Sequence, residues 1–263
     1  MFFFLFACTP VEVATEGSLR ALTYNVHGLP PEITGDDTSG RMEAIAPLLE
    51  GYDLIGLQED FDDDNHAVLA TTSHPVKVRF SELYDDDRFY GSGLAVFSTE
   101  LALGHHNEHY TQCNGFTDGA SDCLASKGFQ VVRIALGAGE VHVYNTHMEA
   151  GNGDEDDAAR ASHVDQLFAS MDQTSETILF LGDTNLGDDD PEDAVEIARL
   201  KDYGLQDGCE LIGCDEPGRI DRFMVLNQGS VTLSIESWSV EEQFEDLSDH
   251  DAIATTWSWS ASE

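Results

Sequence analysis

The chain has 263 residues, 41% of them hydrophobic, which is enough to bury a sizeable core and excludes wholesale disorder. Seven prolines and 23 glycines exclude collagen-like and proline-rich architectures, and no apolar run approaches the roughly 18–20 residues of a membrane-crossing helix. Against 51 Asp and Glu stand only 12 Lys and Arg, a formal charge of −39; such a field repels nucleic-acid phosphates at low salt and has no attraction for anionic membranes.

Residues 19–26 are apolar and β-prone and end in a polar turn at His27-Gly28. A loop with Pro30, Pro31 and Gly35 leads to a helix that Ser39 caps and Gly51 closes. Residues 53–58 predict a short buried strand ending at Glu59, and the acidic stretch 61–65 leads into another helix. Residues 93–98 predict a strand. Residues 104–126 read as a long polar stretch carrying Cys113 and Cys123, with His105, His106 and His109 in a solvated loop. Residues 128–136 and 141–146 predict an antiparallel pair joined at Gly137-Ala138-Gly139. A helix is expected over 157–171, a strand over 177–181, and a further helix after Pro191, a favourable first-turn residue. Strands close the chain at 220–226, 230–238 and 252–259. With no fixed-period repeat and no linker, residues 18–260 predict one α/β domain. The Asp runs at 62–64, 85–87 and 188–190 are expected to be hydrated surface, the last also loading the N-terminus of the next helix.

The acids are spread along the chain, and Lys77, Lys127 and Lys201 are the only lysines. That balance favours adaptation to high salt, where the screening length falls to about 3 Å at 1 M; the alternative is an acidic secreted protein rich in divalent-cation sites. Residues 1–7 are apolar and precede Cys8, and Leu5-Phe6-Ala7-Cys8 resembles a lipobox. The expectation is export, with residues 1–17 as signal and tether and Cys8 as a lipidation site; a frayed apolar terminus is the alternative. Of the other cysteines, Cys113, Cys123, Cys209 and Cys214 permit three connectivities, and local pairing (113 with 123, 209 with 214) is the simplest. Bridges imply an oxidising compartment. No C-x-x-C spacing points to zinc, and free buried cysteines stay open.

Polar residues recur just past apolar strands: Asn25, Glu59, His147, Asp183 and Asn185, with Asp249 and His250 before the last strand. Side chains so placed converge on one rim of a sheet, where α/β folds hold ligands. Carboxylates and amides suit Mg²⁺ or Mn²⁺ better than zinc, and a divalent ion with nearby His is what phosphoester hydrolysis requires.

In this order, Thr23-Tyr24-Asn25-Val26, Gln58-Glu59-Asp60, Asn145-Thr146-His147, Gly182-Asp183-Thr184-Asn185, Arg219-Ile220-Asp221 and Ser248-Asp249-His250 resemble the endonuclease/exonuclease/phosphatase superfamily over nearly the whole chain. The resemblance implies a four-layer α/β/β/α sandwich, a deoxyribonuclease-like fold of two packed mixed sheets flanked by helices. The segments 91–98, 122–129 (D-x-x-A-x-K-G) and 145–150, followed by Arg160 and Gln166, are similar to the sphingomyelinase branch. The chain departs from secreted bacterial sphingomyelinases where they carry an aromatic-tipped hairpin: only Trp238 and Phe244 lie between Phe223 and His250.

The resemblance makes Glu59 the main metal ligand, with Asn25 and Asp249 nearby, and Mg²⁺ the cofactor, with Mn²⁺ or Ca²⁺ as substitutes. It makes His250 the general base oriented by Asp221, His147 a donor to phosphate, and Asp183 and Asn185 the residues that orient the nucleophile, or protonate the leaving oxygen and bind phosphate. Arg88 and Tyr90 are placed by position alone as substrate contacts. The competing structural readings are a turn-capping Glu59, an Asp221 salt bridge to Arg219 or Arg222, a satisfied structural His147 and an ordinary turn at 182–185. The expected function is an exported Mg²⁺-dependent phosphodiesterase acting on a phospholipid headgroup, monomeric, with peripheral membrane contact. An extracellular endonuclease is the runner-up, disfavoured by charge; a small-phosphoester phosphatase is third. The non-enzyme alternative is an acidic surface lipoprotein that uses the fold for binding.

Overall fold

The computed structural model describes residues 13–85, 87–115 and 122–262; the expected signal segment and lipidation site at Cys8 lie outside them. The elements run β1 (Glu16–Asn25), α1 (Pro31–Thr34), α2 (Thr38–Ile45), β2 (Leu54–Gln58), α3 (Asp63–Leu69), β3 (Val76–Phe80), β4 (Leu94–Ser98), β5 (Ala102–His109), β6 (Gly128–Leu136), β7 (Gly139–His147), α4 (Asp154–Met171), β8 (Thr177–Asp183), α5 (Pro191–Tyr203), β9 (Gln206–Asp207), α6 (Gly208–Ile212), β10 (Asp221–Leu226), β11 (Val231–Val240) and β12 (Ile253–Ala261).

Strand β8 explains the layering. All seven of its residues are buried, and successive side chains leave on opposite faces. Leu179 and Leu181 enter one apolar cluster, with Leu19, Leu54, Val96, Val143 and Trp257. Ile178 and Phe180 enter another, with Val164, Leu167, Ile197 and Leu200 from α4 and α5. On the far side, Leu22, Tyr24, Ile55 and Leu57 pack with Met42, Ile45 and Leu69 from α2 and α3. Strands apolar on both faces need a cover on each, and the result is helices, sheet, sheet, helices. One six-stranded sheet has the order β11-β12-β1-β2-β4-β3, the other β5-β6-β7-β8-β10-β9. Both are mixed, with parallel β1–β2 and β7–β8 among antiparallel pairs. This is the four-layer α/β sandwich expected from the sequence. Each fully buried Leu, Ile or Phe contributes roughly 1.5–3 kcal/mol relative to exposure.

The sheets also meet through polar groups near the strand ends. Asn145 accepts from Gln58 Nε2 at 2.7 Å and donates to the carbonyls of Leu57 and Ala95 at 3.0 and 3.1 Å, all buried. Gly56 makes room for this approach: a Cβ there would lie 2.1 Å from Leu181 Cδ1 and 3.0 Å from Asn145 Oδ1.

Several local expectations are corrected. Asp37, not Ser39, caps α2, its Oδ1 accepting from Gly40 N at 3.1 Å. The helix tightens into a 3₁₀ turn over Ala46–Gly51, where Pro47 lacks the N–H that an α-helix needs. Helix α4 starts at Asp154, three residues before the expected 157. Strand β3 is an addition to the expected elements, although Val76, Val78 and Phe80 alternate with Lys77 and Arg79. His105, His106 and His109 lie in β5 at a sheet edge, not in a loop. Asp188 is no hydrated bystander but pairs with Arg219 and Arg222 at 3.0 and 2.8 Å, while Asp190 caps α5 as expected. Both local disulfides are present, Cys113–Cys123 and Cys209–Cys214.

Candidate active site

Three site residues are neighbours on one ladder. Parallel pairing of β7 and β8 sets His147 beside Asp183, and antiparallel pairing of β8 and β10 sets Asp183 beside Asp221. The segment before β12 then brings His250 onto them. Its Nδ1 bonds Asp221 Oδ2 at 2.8 Å, and its Nε2 lies 3.7 Å from Asp183 Oδ2. Asp221 therefore pairs with His250; Arg219 and Arg222 pair instead with Asp188 and Asp207. Burial alone would depress the His250 imidazole, but Asp221, reinforced by Asp183 and Asp249, outweighs it and lifts it to about 10. Burial, then Asp221, pushes Asp183 up to about 6. His147 is held well below the ordinary imidazole range by burial and by the charge of Lys127. It is therefore neutral; its Nε2 faces Asp183 Oδ2 at 3.5 Å, and its buried Nδ1 has no hydrogen-bond partner among the described residues.

The other sheet contributes Asn25 and Glu59. Asn25 pairs with Gln58 at the end of the parallel β1–β2 ladder, and Glu59 follows in a left-handed conformation, φ 57°. Asn25 Nδ2 donates to Glu59 Oε1 at 3.1 Å and to Asp183 Oδ2 at 3.0 Å, while its Oδ1 accepts from His27 N at 3.0 Å. As placed, Asn25 braces two carboxylates. Burial raises the Glu59 carboxyl, opposed first by the Asn25 hydrogen bond and then by Lys127. Among the described residues, four non-glycine positions have positive φ, and three of them belong to the site: His27, Glu59 and Asn185. Such conformations cost on the order of 1–3 kcal/mol and cluster where function requires them.

His27, Glu59, His147, Asp183, Asn185 and His250 line one cavity of about 460 Å³, with Asp249, Phe61, Tyr90, Leu29, Ile33 and Lys127 around it; Asn25 and Asp221 are not in its lining but hold residues that are. Of the expected substrate contacts, Tyr90 lines the cavity and Arg88 does not. The Arg88 guanidinium bonds the carbonyls of Cys123 and Ala125 at 2.7 and 3.3 Å and so braces the disulfide loop. Asn185 lines the cavity and anchors its Nδ2 on Met148 O at 3.1 Å. Lys127, which the D-x-x-A-x-K-G segment holds, is a site residue that reading strand ends missed. Its Nζ bonds Asp122 Oδ1 at 2.9 Å and Met148 O at 2.8 Å. Burial opposes its charge, but Asp122, helped by Glu149 and Asp183, raises it further. His27 and Phe61 were also missed.

Hard oxygen donors facing one another fit a divalent cation. Asp183, Asp221 and His250 bring three ligand atoms within 4.8 Å of one another. The 2.8 Å bond between Asp221 and His250 already places a proton between two of them. Glu59 has no such bond to an acid or imidazole: its carboxylate sits desolvated with His27 and Asp249 across the cavity mouth.

Residues 22–250 match the Endonuclease/Exonuclease/phosphatase family. The chain belongs to that family. Over 154 residues it is 29% identical to a putative neutral sphingomyelinase of Drosophila melanogaster, covering 57% of this chain and 34% of that protein. Over 215 residues it is 24% identical to sphingomyelinase C of Leptospira interrogans, covering 68% and 38%. The chain thus spans little more than a third of these curated relatives. A beta toxin variant of Staphylococcus aureus with bound magnesium ions shares the fold at TM-score 0.71 and 17% identity, over 91% of this chain and 99% of that one. Within this family member, both aromatics of the segment before His250 are engaged in packing. Trp238 lies against the core between the sheets, and Phe244 is buried beside Tyr24.

Proposed function

We propose that the chain is a Mg²⁺-dependent phosphodiesterase that hydrolyses a phospholipid headgroup, of sphingomyelinase type. The observation that carries this reading is His250, held through Nδ1 by Asp221, beside Asp183, His147 and Glu59 in one cavity. Glu59 and Asp249 are assigned to hold the cation, with Asn25 orienting Glu59. When bound, that cation would polarise the phosphoryl oxygens and offset the negative field that keeps a proton on His250. His250 Nε2 then takes a proton from water as the water attacks phosphorus. Asp221 fixes the imidazole tautomer through Nδ1 and stabilises the imidazolium as it forms. The P–O bond to the lipid alcohol breaks, and Asp183, whose carboxyl is raised towards neutrality by burial, returns a proton to the leaving oxygen. Neutral His147 and the Asn185 amide donate to phosphate oxygens, where charge grows in the transition state.

The apolar cavity rim supports a lipid over a nucleic acid. Ile33 is 56% exposed at the cavity and Phe89, next to Tyr90, is 74% exposed, while a charge of −39 gives a phosphate backbone few cationic contacts. The two disulfides support an exported protein. The test is hydrolysis of sphingomyelin vesicles, lysophospholipid, plasmid DNA and inositol phosphates, with Mg²⁺ against EDTA and up to molar salt. Phosphocholine release that EDTA abolishes is expected. DNA nicking without phosphocholine release makes the chain a nuclease, and no hydrolysis of any phosphodiester leaves a binding protein.

A further inference from the structure

His27 follows the β1 strand end and enters the cavity mouth from a left-handed backbone, φ 48°. Its Nδ1 lies 3.3 Å from Asp249 Oδ1 and 3.7 Å from Glu59 Oε2. Two carboxylates from different parts of the chain thus converge on one imidazole nitrogen, which can give a single hydrogen to only one of them. Cis and trans ligands of a cation with bonds of about 2.1 Å stand roughly 3 to 4.2 Å apart, and both separations fall in that window.

The turn is built to hold this position. Arg41 Nη2 donates to His27 O at 2.8 Å, and Arg41 Nη1 to Val26 O and Leu247 O at 3.0 and 2.8 Å. One guanidinium therefore ties the His27 turn to the segment that leads into Asp249. On the other side Gly28 N bonds Glu59 O at 3.0 Å. A Cβ on Gly28 would lie 2.4 Å from that oxygen, so only glycine lets the two turns meet. Asn25 meanwhile directs its N–H groups at Glu59 and Asp183 and its oxygen at His27 N, leaving the imidazole as the nitrogen ligand on this side.

Resting on the cation site proposed above, we infer that His27 Nδ1 is a third protein ligand beside Glu59 and Asp249. An imidazole donor suits Mn²⁺ and later transition ions more than Mg²⁺, so the site gains preference for Mn²⁺ over an all-oxygen set.

The test is pulsed electron paramagnetic resonance on the full chain loaded with Mn²⁺, read for ¹⁴N modulation, alongside Mn²⁺ and Mg²⁺ titrations. His27→Asn is the first variant, because asparagine tolerates a left-handed φ; His27→Gly is the second, and the melting temperature checks the fold of each. Expected is directly coordinated ¹⁴N in the wild type, lost in either folded variant, with Mn²⁺ affinity falling about tenfold or more and Mg²⁺ affinity falling less. Modulation that persists in the variants assigns the nitrogen to His147 or His250 and overturns the inference. Wild-type Mn²⁺ binding that Glu59→Gln weakens but that shows no ¹⁴N coupling overturns the inference and leaves the cation site standing. Binding untouched by Glu59→Gln removes both.

Discussion

The two sheets deliver most of their site residues by different means; Asn25, in register on β1, and Asn185, in a left-handed conformation past β8, are the exceptions. In the second sheet, His147, Asp183 and Asp221 are ladder residues in register with one another, so backbone hydrogen bonds fix their spacing. In the first, Glu59 and His27 lie just beyond strand ends, in left-handed conformations that the turns must enforce. The ladder side is buried and joined to His250 by a short hydrogen bond. The turn side is half open, with the side chain of Asp249 60% exposed. On the proposed function, proton transfer would need fixed distances on the ladder side, and a cation that enters and leaves would need access on the turn side. The division of labour follows from how each side is held.

Breaking the ladder side carries the largest expected effect. Asp221→Asn keeps a hydrogen-bonding side chain but removes the charge that orients and stabilises His250. Turnover of the phosphodiester should fall about 10³-fold, roughly 4 kcal/mol of barrier, in a variant that circular dichroism shows to be folded. A fall of less than tenfold would show that this pair is not the proton-transfer unit.

Next comes the joint between the sheets. Asn145→Ala removes three buried hydrogen bonds, while Gln58 Nε2 keeps Thr23 Oγ1 and Gly56 O. The cost should be about 3 kcal/mol, a melting-temperature drop of roughly 6–12 °C for a chain of this size. Calorimetry showing a drop under 2 °C would mean that the interface closes over the lost amide.

The third expectation concerns Glu149, buried behind Lys127. Burial, with Asp122 and Asp156 nearby, pushes its carboxyl up to about 8, and its Oε2 has no hydrogen-bond partner among the described residues. The folded chain keeps this proton where the unfolded chain, near the ordinary 4.5, has lost it. The folded state therefore binds the extra proton between those values, and its contribution to stability disappears as pH rises through about 8. Glu149→Gln should remove that slope. Denaturant unfolding at pH 5 and pH 9 should show wild type losing on the order of 2 kcal/mol more than the variant. Parallel losses would place the slope elsewhere.

The sequence showed the ladder side more readily than the turn side. The short apolar run of residues 177–181 predicts a strand, and Asp183 follows just past it. That Asp221 meets His250 came from the family resemblance, because no periodicity links residues 29 apart. His27 stayed hidden because its role depends on one φ angle and on Gly28 contacting Glu59, neither of which has a pattern. Lys127 sat in a recognised segment, yet its place in the cavity depends on the loop carrying Asp122. Arg88 misled for the opposite reason: a cation near an expected phosphate site turned to backbone carbonyls instead.

The smallest effect sharpens the comparison most, because its two readouts move in opposite directions. Glu59 combines left-handed backbone with a desolvated carboxylate whose pKa is raised, and both features disfavour the folded state. Glycine at this position accepts φ 57° without a Cβ penalty and removes the buried charge. It also adds backbone freedom to the unfolded chain, which offsets part of the gain. The net expectation for Glu59→Gly is a stabilisation of about 1 kcal/mol, with loss of Mg²⁺-dependent turnover. The equivalent change on the ladder side, Asp183→Gly, replaces a strand residue in register and should lower stability. Denaturant midpoints for the two variants decide the matter: if both fall together, the turn side stores no strain, and the contrast between the two sheets is one of position alone.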